Sequence, residues 1–260
     1  PGLASPLDTW NTIACGDNLV SEGELLESGL VGDDTRALIE AIRPLVGKRA
    51  SRESEFVAIK ERARAAIQSV APQMAYLNVI RELLPRDGFF CEEISQAGFT
   101  ARFGFPVYQP RQYLTCGYQD NLGFGFSTAL GAKVAHPDRA VVAVSGDGGF
   151  LFGVQELATA VQYGINLVTI VFNNGGYGNV RRDQQEKYSG RLLGVELFNP
   201  DFVALAASFG ALGLRAASPA ELRPVLQRAL GERRPVVIEV PCPPGSEASP
   251  WVFLHPAPPA

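Results

Sequence analysis

From residue 72 onward, apolar positions along the chain follow two alternating rhythms. Short unbroken runs of β-branched and aromatic residues read as buried strands: GFFCEE, AVVAVS, NLVTIVF, ALGLRAA and PVVIEV. Between them, QMAYLNVIRELL, LGFGFSTALGAKVA, FGVQELATAVQYG, DFVALAASFG and PAELRPVLQRALG carry apolar or small residues at helical spacing. Pro85, His136-Pro137 and Gly164 stop three of these helices. Strands alternating with helices of this length predict an α/β fold, a mostly parallel sheet with helices on both faces.

Before residue 72 the pattern is different. Residues 1 to about 21 show little periodicity. Residues 21–46 read as a loop and then a helix, with Asp33 or Asp34 as N-cap and Leu38, Ile39, Ile42, Leu45 and Val46 on one face. GKRASRESEFVAIKERARAAIQS is charged throughout and reads as a solvated linker helix. The end, CPPGSEASPWVFLHPAPPA, is Pro-rich and irregular. The expected segments are therefore 1–47, 48–71, 72–245 and 246–260.

Composition narrows the class. Apolar residues make up 46% and charged residues 19% of the 260, enough apolar material for a large buried core. A net charge of −4 without a basic stripe argues against nucleic acid as a partner. No apolar run reaches the roughly 18 residues of a membrane span, and no secretory signal is visible at the start. Cys15, Cys91, Cys116 and Cys242 match no zinc or redox spacing, so reduced thiols in a cytoplasmic protein are expected. The chain opens on Pro1 rather than Met, and we expect it to be a fragment of a longer gene product.

The chemistry concentrates between Ala140 and Gly178, which reads strand, GDGGF, helix, strand, NNGGYG. In a right-handed strand–helix–strand unit the two strands are parallel and often neighbours. Their carboxyl ends then share one sheet edge, where open α/β sheets bind ligands. Asp147 follows the first strand and Asn174 the second. A carboxylate and an amide are hard oxygen donors, suited to Mg²⁺ rather than zinc. Glycines beside Asp147 let backbone N–H groups approach an anion, and the helix that follows aims its N-terminus there. The combination points to a diphosphate bridged by a metal.

GDG followed, after a helix and a strand, by a double Asn resembles the signature of thiamine-diphosphate enzymes. Residues 72–242 resemble the diphosphate-binding domain of the acetolactate synthase, benzoylformate decarboxylase and pyruvate oxidase group, and 21–47 resemble the end of that group's middle domain. The resemblance implies the thiamine-diphosphate-binding fold, with thiamine diphosphate and Mg²⁺ as cofactors. It makes Asp147 and Asn174 side-chain metal ligands and Gly176 a ligand through its carbonyl. Gly146, Gly148 and Gly149 would meet the diphosphate; many relatives have Ser where Gly149 stands. Leu122 would lie under the cofactor and bend it, a role in catalysis. Asp120, at a position usually Gly, would meet the aminopyrimidine through its carbonyl. Ile94, Ser95, Gln96 and Ala97 match a loop near the diphosphate, although the usual Gly and His are missing. Tyr177 is expected either to face the substrate or to pack as an aromatic.

The implied activity is that of a lyase or transferase on 2-oxo acids, most like acetolactate synthase in decarboxylation and carboligation. A decarboxylase of benzoylformate type or an oxidase are the alternatives. The family's activating Glu comes from a pyrimidine-binding domain that has no counterpart in these 260 residues. A second domain or subunit, and a homo-oligomer, are therefore expected. FAD is left undetermined, because its site would lie in the middle domain. Two other readings compete: a non-catalytic thiamine-diphosphate-binding module, and an α/β nucleotide-binding domain. The second lacks G-x-G-x-x-G after the first strand and a Walker-type Lys after Gly148. Glu92 and Glu93, adjacent on a strand, should point to opposite faces rather than share a proton. Glu156 is expected to face solvent or a helix neighbour, and His136 and His255 have no catalytic role.

Overall fold

The computed structural model describes residues 37, 39–41, 43–45 and 50–254, without the side chains of Leu45, Tyr118, Val252 and Leu254. The chain divides into two units, 1–58 and 59–260. In the first, Ala37 and residues 39–41 are helical and Arg43–Leu45 form a 3₁₀ turn. The proposed caps Asp33 and Asp34, and Cys15 and His255, lie outside the described residues. Helix α1, Glu53–Ile67, contains the division after Ala58 and buries only Ile67.

The second unit is built on a six-stranded, all-parallel sheet. In chain order its elements are α2 (Gln73–Leu83), β1 (Phe89–Glu92), α3 (Gln96–Gly104), β2 (Tyr113–Leu114), α4 (Phe124–Ala135), β3 (Val141–Gly146), α5 (Asp147–Gly153) and α6 (Leu157–Gln162). There follow β4 (Val168–Asn173), α7 (Gly178–Lys187), α8 (Phe202–Phe209), β5 (Leu212–Arg215), α9 (Pro219–Gly231), β6 (Val236–Pro241) and α10 (Trp251–Leu254). The strands lie in the order β2-β1-β3-β4-β6-β5.

Both faces of this sheet are apolar, which is why its strands read as continuous hydrophobic runs. Val144, Ile170 and Ile238 are register partners across β3, β4 and β6, all fully buried in one cluster with residues of α2 and α9. Their neighbours Ala143, Val171 and Val237 belong to the opposite cluster, with α4, α6 and α8. Each such aliphatic side chain stabilises the fold by about 1.5–3 kcal/mol.

Three expectations need correction. The single helix after GDGGF is broken into α5, a 3₁₀ turn at Val154–Glu156, and α6. It also begins earlier, at Asp147 itself. Of the expected loop at 94–97, Gln96 and Ala97 already belong to α3, because Ser95 caps that helix by accepting from Gly98 N–H at 3.0 Å. The irregular tail contains a helical turn at Trp251–Leu254. No described helix is long and apolar enough to cross a membrane.

Candidate functional site

The chain order reverses at β1, which lies between β2 and β3. A crevice is expected outside the carboxyl ends of the strands at such a switch point. A pocket of about 640 Å³, counting its open mouth, lies there. Its wall includes Ile94, Ser95 and Gln96 after β1, Gly146–Gly149 after β3, and Asn174, Gly176 and Tyr177 after β4, with Leu122 opposite. Asp120 is not part of this wall. Its backbone is left-handed (φ 46°), as suits a position usually held by Gly, and its side chain turns to Arg102.

Register explains how Asp147 and Asn174 meet. Gly146 of β3 is paired with Phe172 of β4, so both chains leave the sheet at one level. Asp147 is 2% exposed. One of its oxygens accepts from Gly148 N–H at 2.9 Å. The other accepts from Gly176 N–H at 3.1 Å and from the Asn199 amide at 2.6 Å. The Asn174 oxygen accepts from the same Gly176 N–H at 3.2 Å, so carboxylate and amide oxygens flank a single backbone hydrogen. Asn174 Nδ2 donates to Glu247 Oε2 at 2.7 Å. The double Asn is thus divided in its work. Asn173 turns inward, donating to Glu239 at 2.7 Å and accepting from Asn199 at 2.8 Å.

The glycines are there for space. A Cβ on Gly148 would fall 2.6 Å from the Tyr177 ring, so that ring both lines the pocket and packs on the backbone. A Cβ on Gly149 would meet a Glu93 carboxylate oxygen at 2.3 Å, so Ser here would require the Glu93 side chain to move. At Gly176 it would be 2.3 Å from the Val195 carbonyl. Leu122 is held by the next residue, since Gly123 N–H donates to Glu93.

Charge is the telling property. Burial raises the pKa of Asp147, while its amide hydrogen bonds oppose the rise. Burial also raises that of Glu247, the Asn174 bond opposes it, and the charge of Asp147 adds to it. Among the described residues neither carboxylate forms a salt bridge with a basic side chain. The Gln96 side-chain oxygen is buried in the wall with no partner. No group of three or more His, Cys, Asp or Glu that could hold a metal occurs among the described residues. What the pocket offers a cation is the Asp147 and Glu247 carboxylates and the Asn174 amide oxygen, the donor set of a hard ion.

The sequence model of the thiamine pyrophosphate enzyme C-terminal TPP-binding domain matches residues 93–240. The chain belongs to this family. A similar curated protein is the acetolactate synthase large subunit of Haemophilus influenzae, 38% identical over 65% of this chain and 29% of that protein. The benzoylformate decarboxylase of Pseudomonas aeruginosa is 30% identical over 92% of this chain and 47% of its own length. A thiamine diphosphate-dependent 4-hydroxybenzoylformate decarboxylase from Rhodococcus jostii RHA1 shares the fold with a TM-score of 0.62. It is 28% identical, over 67% of this chain and 33% of that one. The chain therefore spans less than half the length of these proteins.

Within this family frame, reading the sequence missed Asn199 and Glu247, both bound to the proposed ligand side chains. Asn199-Pro200 carries only a turn signal, and Glu247 sits in a Pro-rich tail. Glu92 and Glu93 do point apart. Glu92 bonds Arg102 and Thr115, and Glu93 accepts from Ser145 Oγ and Gly123 N–H. Glu156 accepts from its helix neighbour Thr159, and His136 ends α4 stacked on Phe89. Cys91, Cys116 and Cys242 are free thiols.

Proposed function

We propose that this chain is the diphosphate-binding part of an enzyme acting on 2-oxo acids, most like acetolactate synthase, and that it holds thiamine diphosphate through Mg²⁺. The single observation that carries the reading is the buried juncture of Asp147 and Asn174 around Gly176, where Asp147 has no salt-bridge partner among the described residues. Asp147, Asn174 and the Gly176 carbonyl would hold the ion. Gly146, Gly148 and Gly149 leave space for the diphosphate, and Ser95 and Gln96 close its other side. The unpartnered Gln96 oxygen would add one more acceptor to the wall that holds the ion and the diphosphate. When bound, the thiazolium ring supplies the electron sink for cleavage beside the 2-oxo group. This chain's residues anchor, bend and desolvate. Leu122, fixed through Gly123 and Glu93, would support the bend. Asp120 would contribute only its backbone carbonyl, and Tyr177 only a wall.

The activating Glu would come from a pyrimidine-binding domain or subunit. Leu193 (85% exposed) and Phe198 flank a segment hydrogen-bonded to the pocket loop through Tyr177 N–H and Leu197 N–H. Such exposed apolar residues beside a half-built site favour a partner there. A benzoylformate-type decarboxylase is the second reading, supported by the similarity to the Pseudomonas aeruginosa protein. Titrating thiamine diphosphate with and without Mg²⁺ tests the proposal. Tight binding should require the ion, and Asp147→Ala should weaken it at least about a hundredfold, roughly 2.7 kcal/mol. Binding indifferent to both would refute the ligand assignment.

A further inference from the structure

Glu247 lies outside the matched stretch 93–240, in the tail that follows β6. The tail is fastened on several sides of the pocket. Ala248 N–H donates to the Ala71 carbonyl at 3.1 Å, and Gln73 Nε2 donates to the Ala248 carbonyl at 2.5 Å. Ser249 Oγ accepts from Arg182 of α7 at 2.5 Å. Trp251 donates its indole N–H to Asn179 at 2.8 Å and lies 4.9 Å, centroid to centroid, from Phe99 of α3. These anchors hold Glu247 at the pocket wall, with its carboxylate on Asn174 Nδ2.

We propose that Glu247 is a positioning residue that sets which end of the Asn174 amide faces the metal. This rests on the metal reading above. The oxygen and nitrogen of an Asn amide have nearly the same shape, so packing alone does not choose between them. Only the oxygen can bind a cation. Two contacts make the choice here. Gly176 N–H requires an acceptor on one side and Glu247 requires a donor on the other. Gly176 N–H is shared with Asp147, so its hold on Asn174 is divided, whereas the Glu247 contact is undivided and the shorter of the two. Partners of this kind, one bond out from a metal ligand, commonly govern metal affinity by 10–100-fold.

The test is the Mg²⁺ concentration giving half-maximal thiamine diphosphate binding, measured by calorimetry on the full chain, with unfolding midpoints recorded alongside. Glu247→Ala should raise that concentration about 10–100-fold. Glu247→Gln still offers an oxygen to Asn174 and should stay within about fivefold of the parent. An unchanged Mg²⁺ requirement in Glu247→Ala overturns the inference. So does an equal loss in both variants, which would mean that the negative charge or direct ligation matters rather than orientation. If the parent chain itself shows no Mg²⁺-dependent binding, the metal reading fails first, and Asp147→Ala will then match the parent.

Discussion

Glu92, at the end of β1, and Asp147, just past the end of β3, are buried carboxylates on neighbouring strands of one sheet edge. In both, burial pushes the pKa up. Their partners differ in kind. Glu92 meets the Arg102 guanidinium at 2.9 Å, with Thr115 as a second donor, and Arg102 also grips Asp120. Among the described residues Asp147 receives neutral donors, from Gly148, Gly176 and Asn199, and forms no salt bridge. A carboxylate that the chain has already matched with a cation is part of the scaffold. One surrounded by amides alone keeps its charge available for a cation from outside. The difference separates scaffold from site more sharply than burial or pKa, which the two share.

The comparison breaks most visibly at Arg102. Arg102→Met should leave Glu92 buried without a cation and cost about 3–5 kcal/mol, read as a lower urea midpoint. The Mg²⁺ requirement for thiamine diphosphate should change little in the folded protein, because Arg102 does not line the pocket. A variant as stable as the parent would show that Glu92 is solvated or neutral in the native state, and the distinction between the two carboxylates would collapse.

A smaller effect is expected at Asn199, which donates to Asp147 and also to Asn173. Asn199→Ala should cost about 1–3 kcal/mol of stability. It should also raise the Mg²⁺ requirement about tenfold, because Asp147 loses its shortest restraint. Calorimetric titration of the purified variant separates the two losses. Loss of stability with an unchanged Mg²⁺ requirement would assign Asn199 to the scaffold with Arg102.

How much of this was open to sequence reading depends on the physical signal. The parallel sheet is legible because its strands are apolar on both faces, as Val144, Ile170 and Ile238 illustrate. Asp147 and Asn174 are legible because chain connectivity fixes where adjacent parallel strands end. Helix α7, GNVRRDQQEK, was invisible to hydrophobic periodicity because it buries nothing. Its local trace is two ion pairs one turn apart, Arg182–Glu186 and Asp183–Lys187. Asn199 and Glu247 reach the site across 52 and 73 residues of chain, and nothing in their neighbourhoods announces those bonds. The break between α5 and α6 has only a weak signal in GVQELA, the helix-disfavouring Gly153 at the end of α5, since the residues after it tolerate a helix.

Glu93 supplies the finest test, because it stands between the two cases: a buried carboxylate with neutral donors, yet turned away from the pocket wall. Burial raises its pKa, and the Ser145, Gly123 and Gly125 hydrogen bonds oppose this without cancelling it. Its contribution to stability is therefore complete below the unfolded Glu value, about 4.3. As pH rises past that value, the unfolded chain loses the proton while the folded chain keeps it, and stability falls until the folded value is passed. Glu93→Gln removes this proton, so above the unfolded Glu value its urea midpoint should decline less steeply with pH than the parent's. The variant will be less stable overall, since an amide nitrogen must face donors that a carboxylate would accept. The slope, not the midpoint, carries the information. Equal slopes in the two proteins would mean that Glu93 is ionised in the fold throughout. Neutral donors alone would then be enough to hold a buried charge, and the lack of a salt bridge to Asp147 among the described residues would no longer single it out as the ion's site.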